Sequence, residues 1–247
     1  MISRKLLSDQ PSVRSPWFWG PSLYFAQGIP YVAVMIVSVL MYKRLGVSNT
    51  DIALYTSWLN LPWVIKPFWS PFVDLLKTKR WWVVTMQLLI GAGLAGVAFT
   101  IPTTFFFQAS LAVFWLLAFS SATHDIAADG FYMLALDSHE QAFFVGIRST
   151  FYRIAIIAGQ GVLVMFAGFL ENNTGNIPLA WSITFFILGG LFLGLFLYHR
   201  YILPLPEGDK PSVTVTPSTI VKEFFATFVS FFKKKQVFVA ILFMLLY

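Results

Sequence analysis

The stretch WWVVTMQLLIGAGLAGVAFTIPTTFFFQASLAVFWLLAFSSAT, residues 81–123, contains no charged side chain and is too long for one membrane crossing. About 20 apolar residues carry an α-helix across a bilayer. Pro102-Thr103-Thr104 interrupts the run near its middle, so it reads as two spans joined by a very short turn.

The pattern repeats on both sides. Residues 16–42 are free of charge and give a first span. Residues 52–73 give a second, with one internal charge at Lys66. The two halves of the opening stretch are the third and fourth spans, and the fourth continues to about Leu136. A fifth span covers residues 142–170 and contains Arg148 and Arg153; a sixth lies within the charge-free residues 172–198. The expected fold class is an all-α membrane protein. Composition agrees, with 57% hydrophobic and 11% charged residues, where a soluble domain carries about 25% charged. No soluble fold of 247 residues could hide so much apolar surface.

The chain has no cysteine, which excludes a disulfide framework and thiolate chemistry. No phosphate loop, zinc spacing or nucleophile elbow occurs, so neither a cofactor nor a metal is expected. The net charge of +6 is gathered at the ends of apolar spans, which argues for topogenic charge and against a nucleic-acid partner. With the N-terminus cytoplasmic, the inner segments hold Arg4, Lys5, Arg14, Lys77, Lys79, Arg80, Arg200, Lys210, Lys222 and Lys233 to Lys235. The outer loops then hold only Lys43 and Arg44. That asymmetry sets the expected orientation.

Beyond the sixth span the character changes. Residues 203–217 are rich in Pro, Ser and Thr and read as a linker. In residues 218–235, Ile220, Val221, Phe224, Phe225, Phe228 and Phe232 recur at helical spacing, as in an amphipathic helix on the membrane surface. Residues 237–247 begin a seventh apolar run, and at ~1.5 Å per residue they reach about halfway across the hydrocarbon. The expected organisation is a bundle over residues 1–202, a cytoplasmic linker with a surface helix over 203–235, and the start of a seventh span over 236–247. Six helices and the start of a seventh fit one half of a two-repeat transporter, with the other half as an intramolecular partner.

Ionisable residues inside spans are costly, so they face a cavity or a partner. Tyr24, Gln27, Gly28 and Pro30 cluster in the first span, where the backbone is expected either to break or merely to kink. Lys66, Asp125, Asp129, Arg148 and Arg153 fall at similar depth on three spans, with His124 beside them. Asp125 and Asp129 are four residues apart and share a helix face. With His124 neutral, this layer holds three positive and two negative charges. Ion pairing is therefore required: either the whole layer is structural pairing, or a positive surplus is left for an anionic solute while a carboxylate or His124 carries a proton. Asp74, followed by Lys77, Lys79 and Arg80 in the short turn between spans two and three, suits a latch that breaks and reforms.

Three segments, FAQGIPY (25–31), KPFWSPFVD (66–74) and ATHDIAADG (122–130), together resemble the muropeptide permease branch of the major facilitator superfamily and its acetyl-coenzyme A transporter relatives. Relatives typically read Q-D-I-A-x-D in the third segment, and His124 stands here in place of that glutamine. The resemblance implies the N-terminal six-helix half of a twelve-helix fold, lodged in a bacterial inner membrane. It also implies proton-driven import of a cell-wall sugar-peptide by alternating access. Under it, Asp125 and Asp129 are the leading functional carboxylates, Asp74 a gating residue and Lys66 a solute or charge-balancing contact. Coenzyme A phosphates would suit the basic surplus equally. A membrane-embedded acyl- or lipid-modifying enzyme using His124 and Asp125, and a non-transporting receptor-like half, are the rival readings.

Overall fold

A computed structural model describes residues 15–210, together with Phe225, Ala226, Val229, Ser230, Lys233 and Val237. Arg4, Lys5, Arg14, nearly all of the expected surface helix and the start of the seventh span lie outside the described residues. Among the described residues the chain is helical, with no strand. Five helices are long and apolar enough to cross a membrane. They are α1 (Pro16–Arg44), α5 (Lys79–Thr100), α6 (Phe106–Ala135), α7 (Ser138–Thr174) and α8 (Ile177–Ile202).

The expected second span is not a continuous helix. It is built from α2 (Asn49–Thr56), a 3₁₀ turn over Ser57–Asn60, α3 (Leu61–Val64), a second 3₁₀ turn over Lys66–Phe68, and α4 (Ser70–Leu76). Pro62, Pro67 and Pro71 are responsible, because each stands in the first turn of a new segment. Proline has no N–H to donate to a preceding turn, so it is favoured where a helix opens and weakens one it interrupts. Lys66 therefore sits on an irregular stretch of backbone, and its depth cannot be counted off a straight helix.

In the first span, where the sequence leaves a break and a kink both open, the helix is continuous. Gly28 and Pro30 do not break α1, which runs on through a π-helical turn at Ala33–Val37 to Arg44. Gly28 instead permits a close approach. A Cβ there would lie 2.7 Å from the Ala155 Cβ and 2.9 Å from the Tyr152 carbonyl oxygen on α7. The long helix α7 contains a second π turn, Ala158–Leu163, and the two π turns touch. Its N-terminus is fixed by a capping box, in which Asp137 accepts from the Glu140 N–H and Glu140 accepts from that of Asp137.

Helix α5 lies between α6 and α8, while α1 packs on α7, α6 and α8. Small residues set the α5–α8 contact. A Cβ on Gly189 would meet the Gly91 carbonyl oxygen at 3.0 Å, and one on Gly91 would meet the Phe192 Cβ at 3.2 Å. In a bilayer apolar side chains gain little by leaving lipid, so such close backbone packing is what holds helices together. One apolar cluster, centred on Val34, Leu94, Phe114 and Phe185, fills one end of the bundle. A second, with Trp19, Val83, Phe131 and Phe144, fills the end that carries Asp74.

Candidate functional site

Between α1, the broken segment, α6 and α7 lies a cavity of about 550 Å³. Tyr24, Gln27, Lys66, Asp125, Arg148 and Arg153, all singled out in the sequence, line it. Tyr31, Asn60, Trp63 and Tyr152 complete its walls and had not been singled out. The rings of Tyr31 and Trp63 meet edge to face at 5.2 Å. The chamber combines four aromatic rings with a majority of polar and charged side chains, and so is more polar than most ligand pockets.

The charges in the chamber are mostly paired. Lys66 Nζ donates to Asp125 Oδ2 at 2.6 Å, and the Trp63 indole N–H donates to the same oxygen at 3.1 Å. Asp125 is only 7% exposed, and its other oxygen, Oδ1, is buried without a hydrogen-bond partner. Arg148 Nη2 donates to Asp129 Oδ1 at 2.9 Å, and its guanidinium lies 4.8 Å from the Tyr24 ring and 5.4 Å from the Tyr132 ring. An arginine held by a carboxylate and two aromatic faces is committed to the protein. Arg153 has no ion-pair partner among the described residues and is exposed. The expected layer of three positive and two negative charges thus resolves into two pairs and one free guanidinium.

His124 does not face this chamber. It is fully buried on a different face of α6, where Gln87 Nε2 of α5 lies 3.1 Å from its Nε2. The amide oxygen of Gln87 accepts from His199 Nδ1 of α8 at 3.0 Å, and His199 Nε2 lies 3.0 Å from Ser22 Oγ of α1. Four helices are joined through groups that are almost wholly sealed from solvent. Gln87 and His199 were not anticipated. The available signal was Gln87 itself, a polar residue inside an otherwise apolar span.

At one end of the bundle, Asp74 forms an ion pair with Lys79. Gly130 on α6 leaves room for the lysine stem, since a Cβ there would come within 2.8 Å of Lys79 Cε. Arg80 does not join that pair. Its Nε donates to the Leu203 carbonyl at 3.2 Å and its Nη2 to the Arg200 carbonyl, covering the last turn of α8. Asp209, from the segment after α8, accepts from the backbone N–H of Lys79 at 2.6 Å and of Arg80 at 3.0 Å. A carboxylate at a helix N-terminus meets both the free N–H groups and the positive end of the helix dipole. At the opposite end Arg44 pairs with Glu171, which also accepts from the Trp181 indole N–H at 2.7 Å. The described residues hold no His, Asp or Glu cluster suited to a metal.

The BT1 family model matches residues 25–247. The chain belongs to the BT1 family. This BT1 protein is 29% identical over 186 residues to a putative transporter AmpG 4 of Rickettsia conorii, covering 69% of this chain and 41% of that one. It is 24% identical over 233 residues to the anhydromuropeptide permease of Escherichia coli K12, covering 91% of this chain and 44% of the permease. An uncharacterized protein of Schizosaccharomyces pombe is 26% identical over 182 residues, or 66% of this chain and 35% of that protein. The chain therefore spans about two fifths of the length of these curated relatives. The names of these relatives, a putative transporter and a permease, give no support to an acyl- or lipid-modifying role for His124 and Asp125.

Proposed function

We propose that this BT1 protein contributes the N-terminal, six-span half of a twelve-helix major facilitator and imports a sugar-peptide of the anhydromuropeptide class together with protons. The observation that carries the reading is the Lys66–Asp125 ion pair on the wall of the chamber. A titratable carboxylate at solute-binding depth is what proton coupling needs. The name of the Escherichia coli relative, covering 91% of this chain, supports the solute class.

In this reading the broken segment counts as the second span, Asp125 carries the proton and Asp129 orients Arg148. Gln27, Tyr24 and Arg153 contact the solute. The Asp74–Lys79 pair closes the cytoplasmic side, Arg80 braces it, and Arg44–Glu171 closes the far side. The N-terminus is cytoplasmic, the membrane is a bacterial inner membrane, and a second half of the transporter completes the solute site. Residues 1–202 are the bundle, 203–235 the linker with its surface helix, and 236–247 the start of the seventh span.

The test is uptake by the full-length protein in proteoliposomes. Labelled anhydromuropeptide should accumulate against its gradient when a proton gradient is imposed, and collapse of the gradient should abolish accumulation. Absence of accumulation sinks the sugar-peptide reading. The free charge of Arg153 favours anionic solutes more broadly, so acetyl-coenzyme A should be run as a second substrate in the same vesicles.

A further inference from the structure

All of the hydrogen bonds to Asp125 fall on one of its oxygens. Lys66 and Trp63 both donate to Oδ2, and Oδ1 has none. The carboxylate is therefore compensated by a single cation, with only an indole N–H in reserve. Its other charged and titratable neighbours do not substitute for Lys66. Asp129 on its own helix is negative and already bound to Arg148 of α7, while His124 is turned away toward Gln87. Tyr24 of α1 and Tyr152 of α7 face the chamber as neutral phenols.

Lys66 is much less secluded than its partner. Its side chain is 27% exposed against 9% for Asp125, and it lies on irregular backbone between Ile65 and Trp69, where the main chain can shift without unwinding a long helix. Arg153 lines the same chamber with no acidic partner among the described residues. A solute anion entering here meets one free guanidinium and one ammonium that a buried carboxylate currently occupies.

We propose that Lys66 is an exchange switch, in which a solute anion displaces Asp125 from Lys66 and the displaced carboxylate takes up one proton. This rests on the transport reading above and supplies its coupling step. The balance is closed. The Lys66 Nζ–H···Oδ2 bond of Asp125 breaks, a Lys66 Nζ–H···anion bond forms, and one proton drawn from bulk solution adds to the carboxylate. An ionised carboxylate left in a buried site without a counter-cation is far costlier than a neutral carboxyl, so anion binding and protonation occur together. Charge in the chamber rises by one from the proton and falls by one from the anion, so the loaded site is no more charged than the empty one. Trp63 can keep its bond to Oδ2 in both states, which holds the carboxyl in place during the exchange.

The experiment uses infrared difference spectroscopy on the full-length protein, with an anhydromuropeptide bearing a free carboxylate as the probe. At neutral pH the ligand-free protein should show no protonated-carboxyl signal from Asp125. Adding the probe should produce one, lost in Asp125→Asn, together with uptake of one proton per bound probe in weakly buffered solution. Lys66→Met should show the Asp125 signal with no probe present, and Lys66→Gln is the substitute if that variant does not fold. Probe binding without proton uptake, or an Asp125 that stays ionised once Lys66 is neutralised, overturns the switch. Failure of the probe to bind overturns the sugar-peptide assignment instead, and the Lys66 variants still decide the exchange.

Discussion

His124 and Asp125 are adjacent in the chain yet serve different faces of α6. Asp125 closes the wall of the chamber through Lys66, and His124 is sealed behind it against Gln87. Successive helical residues point about 100° apart, so neighbours can sit on different faces. The chamber and the buried polar chain behind it are therefore separable by mutation.

The chain from His124 to Ser22 fixes the imidazole protons. The Gln87 amide offers one donor to His124 Nε2 and one acceptor to His199 Nδ1. Both rings should consequently be protonated at Nδ1, with His124 Nε2 left as an acceptor. The protein has three histidines, so selective ¹⁵N labelling with a His139→Gln variant for assignment leaves two ring systems to read. A His124 protonated at Nε2, or a His199 unprotonated at Nδ1, would show that the amide does not bridge them.

Gln87→Leu removes that bridge and strands two buried imidazole nitrogens. Each unsatisfied buried polar group costs about 1–3 kcal/mol. The variant should melt at lower temperature in detergent while retaining the affinity of the folded fraction for anhydromuropeptide, because Gln87 does not line the chamber. An unchanged melting temperature would contradict the hydrogen-bonding role.

Asp125→Asn should abolish proton-driven accumulation without affecting membrane insertion. Uptake in proteoliposomes and the folded yield after purification give the two readouts. Wild-type uptake by this variant would return Asp125 to a purely structural pairing with Lys66.

Arg153→Gln should weaken binding of an anionic solute by roughly tenfold or more, in line with the ~1.5–3 kcal/mol of a hydrogen bond to a charged group. Its thermal stability should stay close to wild type, because Arg153 is exposed and unpaired among the described residues. Equal affinity for charged and uncharged probes in both proteins would remove Arg153 from the site.

Gly189→Leu should destabilise the bundle by about 1–3 kcal/mol through overpacking. The Gly91 carbonyl and the Ala95 backbone stand 3.0 and 3.2 Å from where its Cβ would go. Backbone cannot yield as a flexible side chain can, so Gly130→Ala, which meets only the Lys79 stem, should be milder in the same melting assay.

Five of the helices were legible because length and the spacing of charges alone determine what can cross a bilayer. The broken segment carried its signal in Pro62, Pro67 and Pro71, but an apolar count over residues 52–73 hides what three prolines do to the ladder. Gly28 and Pro30 left a break and a kink both open, since a glycine that permits close packing and one that weakens a helix look alike in one dimension. The charged layer around Asp125 and Asp129 followed from depth and residue type. Which cation meets which carboxylate did not, because that depends on the rotation of each helix about its axis. Glu171 was passed over because it lay one residue outside a predicted span end, and only the Arg44 and Trp181 side chains reveal its use.

The two backbone bonds from Asp209 to the head of α5 have a mechanical consequence. The chain after α8 does not leave the bundle directly from Ile202. It is first tied back, seven residues on, to the end of a different helix, next to the Lys79 that holds Asp74. Asp209 thus resembles the belay point of a rope: load on the chain past it would reach the head of α5, beside the Asp74–Lys79 pair, before it reached the end of α8.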